Sequence, residues 1–158
     1  MLDDQSIARY ARQIVVPGIG AAGQEKLLAA TARVVGSARG CEQAARYLRA
    51  AGMRVTDGAA GFDIAIVADV ASLDDATLRI LARSGRAVCW YELDAQGFRC
   101  GVHPNAPLPA VGAHDGAPDR EEREERAEHD AAACDAAALA CAIVLGLPSD
   151  RSLVAFGD

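Results

Sequence analysis

Asp57 stands 21 residues after Gly36, and Gly36 closes the short apolar stretch Ala32-Arg33-Val34-Val35-Gly36. That separation is close to the roughly 20 residues between a phosphate-binding glycine turn and the acid that holds a nucleotide's ribose. The same aspartate precedes Gly58 and reads equally well as an ordinary turn residue. The other chemical inventory is five cysteines, Cys41, Cys89, Cys100, Cys134 and Cys141, an odd number with no C-x-x-C pair of the kind that zinc and redox sites use. Cys134 and Cys141 lie two helical turns apart, so they share a face and read as core packing. Cys89 and Cys100 fall in predicted strands, where apolar surroundings raise a thiol's pKa and suppress attack. The expectation is buried, reduced thiols without chemistry.

The elements that would position these residues follow from periodicity and punctuation. Residues 4–30 read as two short helices around Pro17-Gly18, because Ile7, Ala11, Ile14 and Val15 recur at helical spacing before the proline. Ala32–Gly36 is a strand, and the run Glu42–Ala51 with Gly52 as its cap is a helix. Strands are predicted at Met53–Thr56 and at Phe62–Ala68, the latter unbroken in its apolar character and therefore covered on both faces. Ser72 and Asp75 suggest a capping box for a helix over Leu73–Arg83, ended by Gly85. Ala87–Leu93 and Gly97–His103 read as an antiparallel hairpin around Asp94-Ala95-Gln96-Gly97. The proline- and glycine-rich stretch 104–118 reads as a mobile surface loop. Asp119–Asp130 is almost wholly charged and Ala131–Leu145 almost wholly apolar, which one helix explains if it starts exposed and ends buried, with Gly146 and Pro148 stopping it. Ser152–Phe156 reads as a last strand. The sum is an α/β fold with a mixed, mainly parallel sheet flanked by helices, an N-terminal helical arm and a C-terminal antiparallel hairpin portion.

A chain of 158 residues forms one domain, parsed as arm (1–31), α/β core (32–103), loop (104–118), and closing helix and strand (119–158). Hydrophobic residues make up 51% but aromatics only 4%, a balance filled by alanine that favours helices and close packing. The formal charge of −6 argues against nucleic acid or an anionic membrane as partner and leaves small molecules or proteins. The opening residues lack a signal-peptide core, and no stretch reaches the roughly 18 apolar residues of a membrane span, so a cytoplasmic location is expected.

Three segments, in order, resemble the ThiF/MoeB/HesA family, bacterial relatives of the ubiquitin-activating enzymes. Arg9-Tyr10-Ala11-Arg12-Gln13-Ile14 with Gly20-Ala21-Ala22-Gly23-Gln24-Glu25-Lys26-Leu27 is similar to that family's opening arm. Arg33-Val34-Val35-Gly36 with Ala45-Arg46-Tyr47-Leu48-Arg49-Ala50-Ala51-Gly52 resembles its first strand and helix. Phe62–Val67, Leu78–Gly85, Val88, Gly97–Val102, Ala136–Leu147 and Leu153–Phe156 resemble its later elements. The resemblance implies a Rossmann-like fold and, in intact members, ATP- and magnesium-dependent adenylylation of a ubiquitin-like or sulfur-carrier protein.

Against that pattern the departures are specific. The phosphate turn here is Gly36-Ser37-Ala38-Arg39-Gly40-Cys41, in which only Gly36 keeps a motif position; Ala38 and Cys41 replace glycines, Gly40 is one residue out of register, and Ala38 and Arg39 crowd the phosphate path. Arg39 could supply charge to a phosphate but not the close backbone approach. Between Gly52 and Phe62 there is no room for the family's second helix and its phosphate-facing arginine and lysine; the single lysine is Lys26. Asp57 could still be the ribose acid. Asp69 is a weak remnant of the magnesium-binding acid, with its second acid absent or displaced to Asp74. The 104–118 loop lacks the family's catalytic cysteine.

The resemblance gives the arm a different role, because the family's second arginine, here Arg12, reaches across a dimer to the partner's ATP. Arg9, Tyr10 and Arg12 could equally anchor the arm to its own domain, with Gln13 beside them. The expectation is therefore a pseudo-activating subunit with no catalytic residue of its own and no cofactor, or ATP and magnesium if the nucleotide site is retained. Its partners would be a second copy or a ThiF/MoeB-like enzyme, and a ubiquitin-like carrier. The alternative is a small nucleotide-binding enzyme or sensor that uses the remodelled turn and Asp57 for NAD or an adenylate.

Overall fold

The computed structural model describes residues 1–58, 61–94, 97–103, 122–147 and 154–156. The chain opens with two helices, α1 (Asp4–Ile14) and α2 (Gly20–Ala29), that form the arm. β1 (Thr31–Gly36), α3 (Ala38–Ala51), β2 (Arg54–Thr56), β3 (Ile64–Ala68), α4 (Asp75–Arg83), β4 (Ala87–Asp94) and β5 (Gly97–His103) follow, then α5 (Glu122–Leu145) and β6 (Val154–Phe156). The sheet has six strands in the order β2-β1-β3-β4-β5-β6. The first four run parallel, and β5 and β6 are antiparallel to their neighbours. This is the Rossmann-like α/β architecture expected, hairpin included: Asp94 pairs with Gly97 across the turn.

β1 alternates between the two faces. Ala32 and Val34 join Ile64, Ile66, Ala68, Cys89 and Tyr91 under α3 and α5, with Leu48 and a stripe of α5 alanines (Ala132, Ala133, Ala136, Ala137, Ala140) filling the layer. Alanine at these positions lets the helices approach closely, the use to which the aromatic-poor composition is put. On the opposite face, Ala65, Val67, Val88 and Trp90 pack with Phe62, Leu78 and Leu81 beneath α4. All five residues of β3 are buried, as its unbroken apolar run requires.

The link from β2 to β3 replaces the crossover helix usual between parallel strands. Residues 57–63 suffice because β2 is short. Its last residue, Thr56, lies level with Arg33, and the first residue of β3, Ile64, lies level with Ala32, so the link has almost no strand length to retrace. Phe62, near the end of this link, lies beneath the Arg33 guanidinium at 5.8 Å and packs with the α4-side core.

Several boundaries differ from expectation. α3 begins at Ala38 instead of Glu42, because Ser37 caps it by accepting a hydrogen bond from the Gly40 amide at 3.2 Å. α4 starts at Asp75, and its cap is Asp74, not Ser72: Asp74 accepts both from the Thr77 amide at 2.8 Å and from the Thr77 hydroxyl at 2.9 Å. Ser72 instead closes a 3-10 turn, donating from its hydroxyl to the Asp69 carbonyl at 2.7 Å. Cys134 is exposed, not core, because the buried α5 stripe runs through Ala133 and Ala137 and passes one residue to its side, while Cys141 packs partly against the core. The loop expected over 104–118 and the start of the charged run lie outside the described residues. Among the described residues no helix is long and apolar enough to cross a membrane.

Burial pushes the Cys141 thiol up to about 11 from an ordinary 9.0, and the Cys89 thiol, desolvated beside Cys100 and Cys141, also rises. A thiol whose folded pKa exceeds its unfolded value holds its proton more tightly when native. Its contribution to stability is complete below the unfolded value and is lost as pH climbs through the folded one. The melting temperature is therefore expected to hold to about pH 9 and decline between about pH 9 and about pH 11, with Cys141→Val reducing the slope. A wild-type melting curve unmoved at about pH 11 contradicts this.

Candidate functional site

In open α/β sheets, ligands meet the protein outside the carboxyl ends of the strands, where the chain departs to opposite faces. That point here lies between β1 and β3, since α3 carries the chain from β1 toward β2 and α4 carries it from β3 toward β4. Gly36 ends β1 there and Asp69 follows β3.

The protein's own groups fill the glycine turn. Gly36 has φ of 133°, and a side-chain carbon on it would fall 1.8 Å from the Ala68 carbonyl oxygen, so glycine is demanded by the neighbouring strand. The Ser37 amide donates to that oxygen at 3.0 Å. Ala38, Arg39 and Gly40 are not loop residues but the first turn of α3. The Gly40 amide is taken by the Ser37 hydroxyl and the Cys41 amide by the Ser37 carbonyl at 2.9 Å. Gly40 also carries the close approach of Tyr91, whose hydroxyl would lie 2.3 Å from a side-chain carbon at that position. Tyr91 is fully buried, and burial, then the acidic groups of Asp69, Cys41 and Asp130, pushes its phenol above the usual tyrosine range. A triphosphate laid along backbone amides needs the space and donors that Ser37 and Tyr91 occupy.

Asp69 adopts φ of 66° and ψ of 90°, a left-handed conformation uncommon outside glycine, asparagine and aspartate. Its charge is among those that raise the Tyr91 phenol. No group of three or more His, Cys, Asp or Glu among the described residues is arranged to hold a metal ion.

Asp57 immediately follows β2 and is exposed. It borders a cleft of about 440 Å³ between α3 and the sheet edge, lined also by Cys41, Glu42, Arg49, Val55 and Thr56. The structure thus brings Asp57 and the α3 start to one cleft and leaves Asp69 on the β3 side. Burial raises the Cys41 thiol, which disfavours a nucleophilic thiolate there. Lys26 lies at the other end of the sheet, beside Asp63, Ile64 and Ile143 in a cleft of about 420 Å³.

The arm is fastened to the far end of α3. Gln13 donates to the Ala50 carbonyl at 3.0 Å and Gln24 to the Ala51 carbonyl at 2.9 Å, satisfying carbonyls that a helix end leaves without partners. Tyr10 is buried against Gly52, and Arg9 stacks on the Tyr10 ring at 5.5 Å. Tyr10, Gln13 and Gln24 therefore serve their own domain. Arg12, in the last turn of α1, is exposed and makes no ion pair or hydrogen bond among the described residues. Twelve residues of helix separate Ala50 from Ala38, about 18 Å at 1.5 Å per residue, so the anchored arm stands well away from its own turn.

Nothing local in the sequence pairs Tyr91 with Gly40, so its strand position is all that spacing shows. Glu42, Arg46 and Arg49, at i, i+4 and i+7, share one charged face of α3, and their spacing is the signal that marks it. Comparison with known proteins gives no family: no protein-family model matches the chain, and no curated protein matches it significantly.

Proposed function

We propose that this chain is a non-catalytic subunit of the ThiF/MoeB-like type that dimerises with, or scaffolds, an enzyme that adenylylates a ubiquitin-like or sulfur-carrier protein. The observation that carries the reading is the contrast between a turn filled by Ser37 and Tyr91 and an arm whose Arg12 is left uncommitted. A guanidinium donated across a dimer interface stabilises phosphate charge in a neighbour's site without any nucleotide site of its own. Adenylylation by a complex of this chain with a full-length enzyme of that type tests it. Arg12→Ala is expected to lower the rate on the order of 1,000-fold or more, and calorimetry of the isolated chain with ATP and magnesium should show no binding. Unchanged rates in the variant complex, or micromolar ATP binding by the isolated chain, overturn the reading.

The alternative is a small nucleotide-binding enzyme or sensor, favoured by the position of Asp57 on the cleft beside α3. It requires a thermal shift with NAD or an adenylate that Asp57→Ala abolishes.

A further inference from the structure

A cleft of about 530 Å³ between the arm and α3 is lined by Arg9, Glu42, Gln43, Arg46, Arg49 and Ala50. It gathers three guanidiniums in a chain whose formal charge is −6. Two are held in place by aromatic rings: Arg9 lies 5.5 Å from the Tyr10 centroid and Arg46 lies 5.0 Å from that of Tyr47. Arg46 also donates to the Tyr47 hydroxyl at 3.3 Å and sits 3.6 Å from Asp130. Cations fixed this way lose less freedom when an anion arrives. Arg9 and Arg49 have no ion-pair partner among the described residues.

Beside the cations stand two acceptors. Glu42 faces the same cleft, and Gln43 is only 9% exposed, with its amide oxygen buried and without a hydrogen-bond partner among the described residues. A buried acceptor with no donor is costly, and the terminal torsion of a glutamine is soft enough to turn that oxygen toward an incoming donor. A simple anion would leave both acceptors unused, and an extended polyanion would meet the Glu42 carboxylate. A compact ligand with a multiply charged anionic group and adjacent hydroxyls satisfies both halves, and the volume suits such a molecule.

We propose that this cleft binds a small phosphorylated polyol, with Arg9, Arg46 and Arg49 around the phosphate and Gln43 and Glu42 accepting from its hydroxyls. The site is distinct from the turn at Gly36 and does not depend on the subunit reading above. Because Arg9 belongs to α1 and the other ligands to α3, occupancy would pin the arm against the domain.

Calorimetry of the full chain with ribose 5-phosphate, ribose and inorganic phosphate as separate probes tests it. Ribose 5-phosphate is expected to bind saturably and about tenfold or more tighter than phosphate, with ribose alone silent. Arg49→Ala, on an exposed side chain, and Arg9→Ala, on a different element, should each weaken it by about tenfold. Gln43→Met should bring ribose 5-phosphate down toward the affinity of phosphate and leave phosphate itself unchanged. The proposal is overturned if ribose 5-phosphate binds no better than phosphate, if neither arginine variant changes its affinity, or if none of the probes gives saturable heat.

Discussion

Gly36→Ala is expected to lose a large share of the fold's stability for a single added methyl group. At φ of 133° an alanine is strained before any contact is considered. Its side-chain carbon would then sit 1.8 Å from the Ala68 oxygen and 2.7 Å from the Ala68 carbonyl carbon, atoms of a strand buried along its whole length. Backbone in the middle of a sheet has nowhere to retreat, so the end of the β1–β3 ladder, where Gly36 pairs with Ala68, must open. A cost of about 4 kcal/mol is expected from strain and overpacking together. Against a typical total of about 5–15 kcal/mol this lowers the melting temperature by roughly 10 °C or more. Thermal melts followed by circular dichroism check it; a variant melting with the parent would show that the strand ends are not as close as described.

Leu48→Ala is expected to be nearly as severe. Leu48 is fully buried on the face of α3 that meets the sheet and the alanine stripe of α5. Alanines already at contact distance have no side chain with which to fill the hole, and the helix backbones behind them are rigid. The void would stay open, and the cost should fall in the upper part of the ~2–5 kcal/mol range for such truncations. Because α3 also holds the arm through Ala50 and Ala51, proteolysis within α1 should accelerate in parallel. Equal proteolysis rates in the two proteins would uncouple the arm from the core.

These residues also show what could be read from order alone. The hairpin register, the pair of arm helices and the buried β3 follow from spacing within a dozen residues, where local chemistry decides the outcome. α3 starts four residues before its sequence pattern does, because Ala38, Arg39 and Gly40 carry no apolar periodicity and only Ser37, capping the helix from outside, marks the start. Between Ser72 and Asp74 the choice of cap turned on Thr77, whose amide and hydroxyl both bond Asp74. At the site, Asp57 could be placed by counting, since strand and helix lengths fix how far the chain travels. The packing of Tyr91 against Gly40 joins residues from different elements and leaves no local trace, and the left-handed backbone of Asp69 is equally silent in sequence. Spacing gave no means of separating Arg12 from Tyr10 and Gln13, since only packing against α3 distinguishes the residues spent on the arm's own anchorage from the one left over.

Among the described residues, the sheet ends on both sides in strands of three residues, β2 and β6. Unpaired backbone along a sheet edge is what lets proteins zip together strand to strand, whether into ordered assemblies or aggregates. Edges this short offer a newcomer only a few hydrogen bonds, too few to offset the entropy of ordering it. The shortness of β2 that lets the link after it do without a helix also leaves little backbone exposed along that margin. Among the described residues, these two edge strands therefore give a second chain little to pair with.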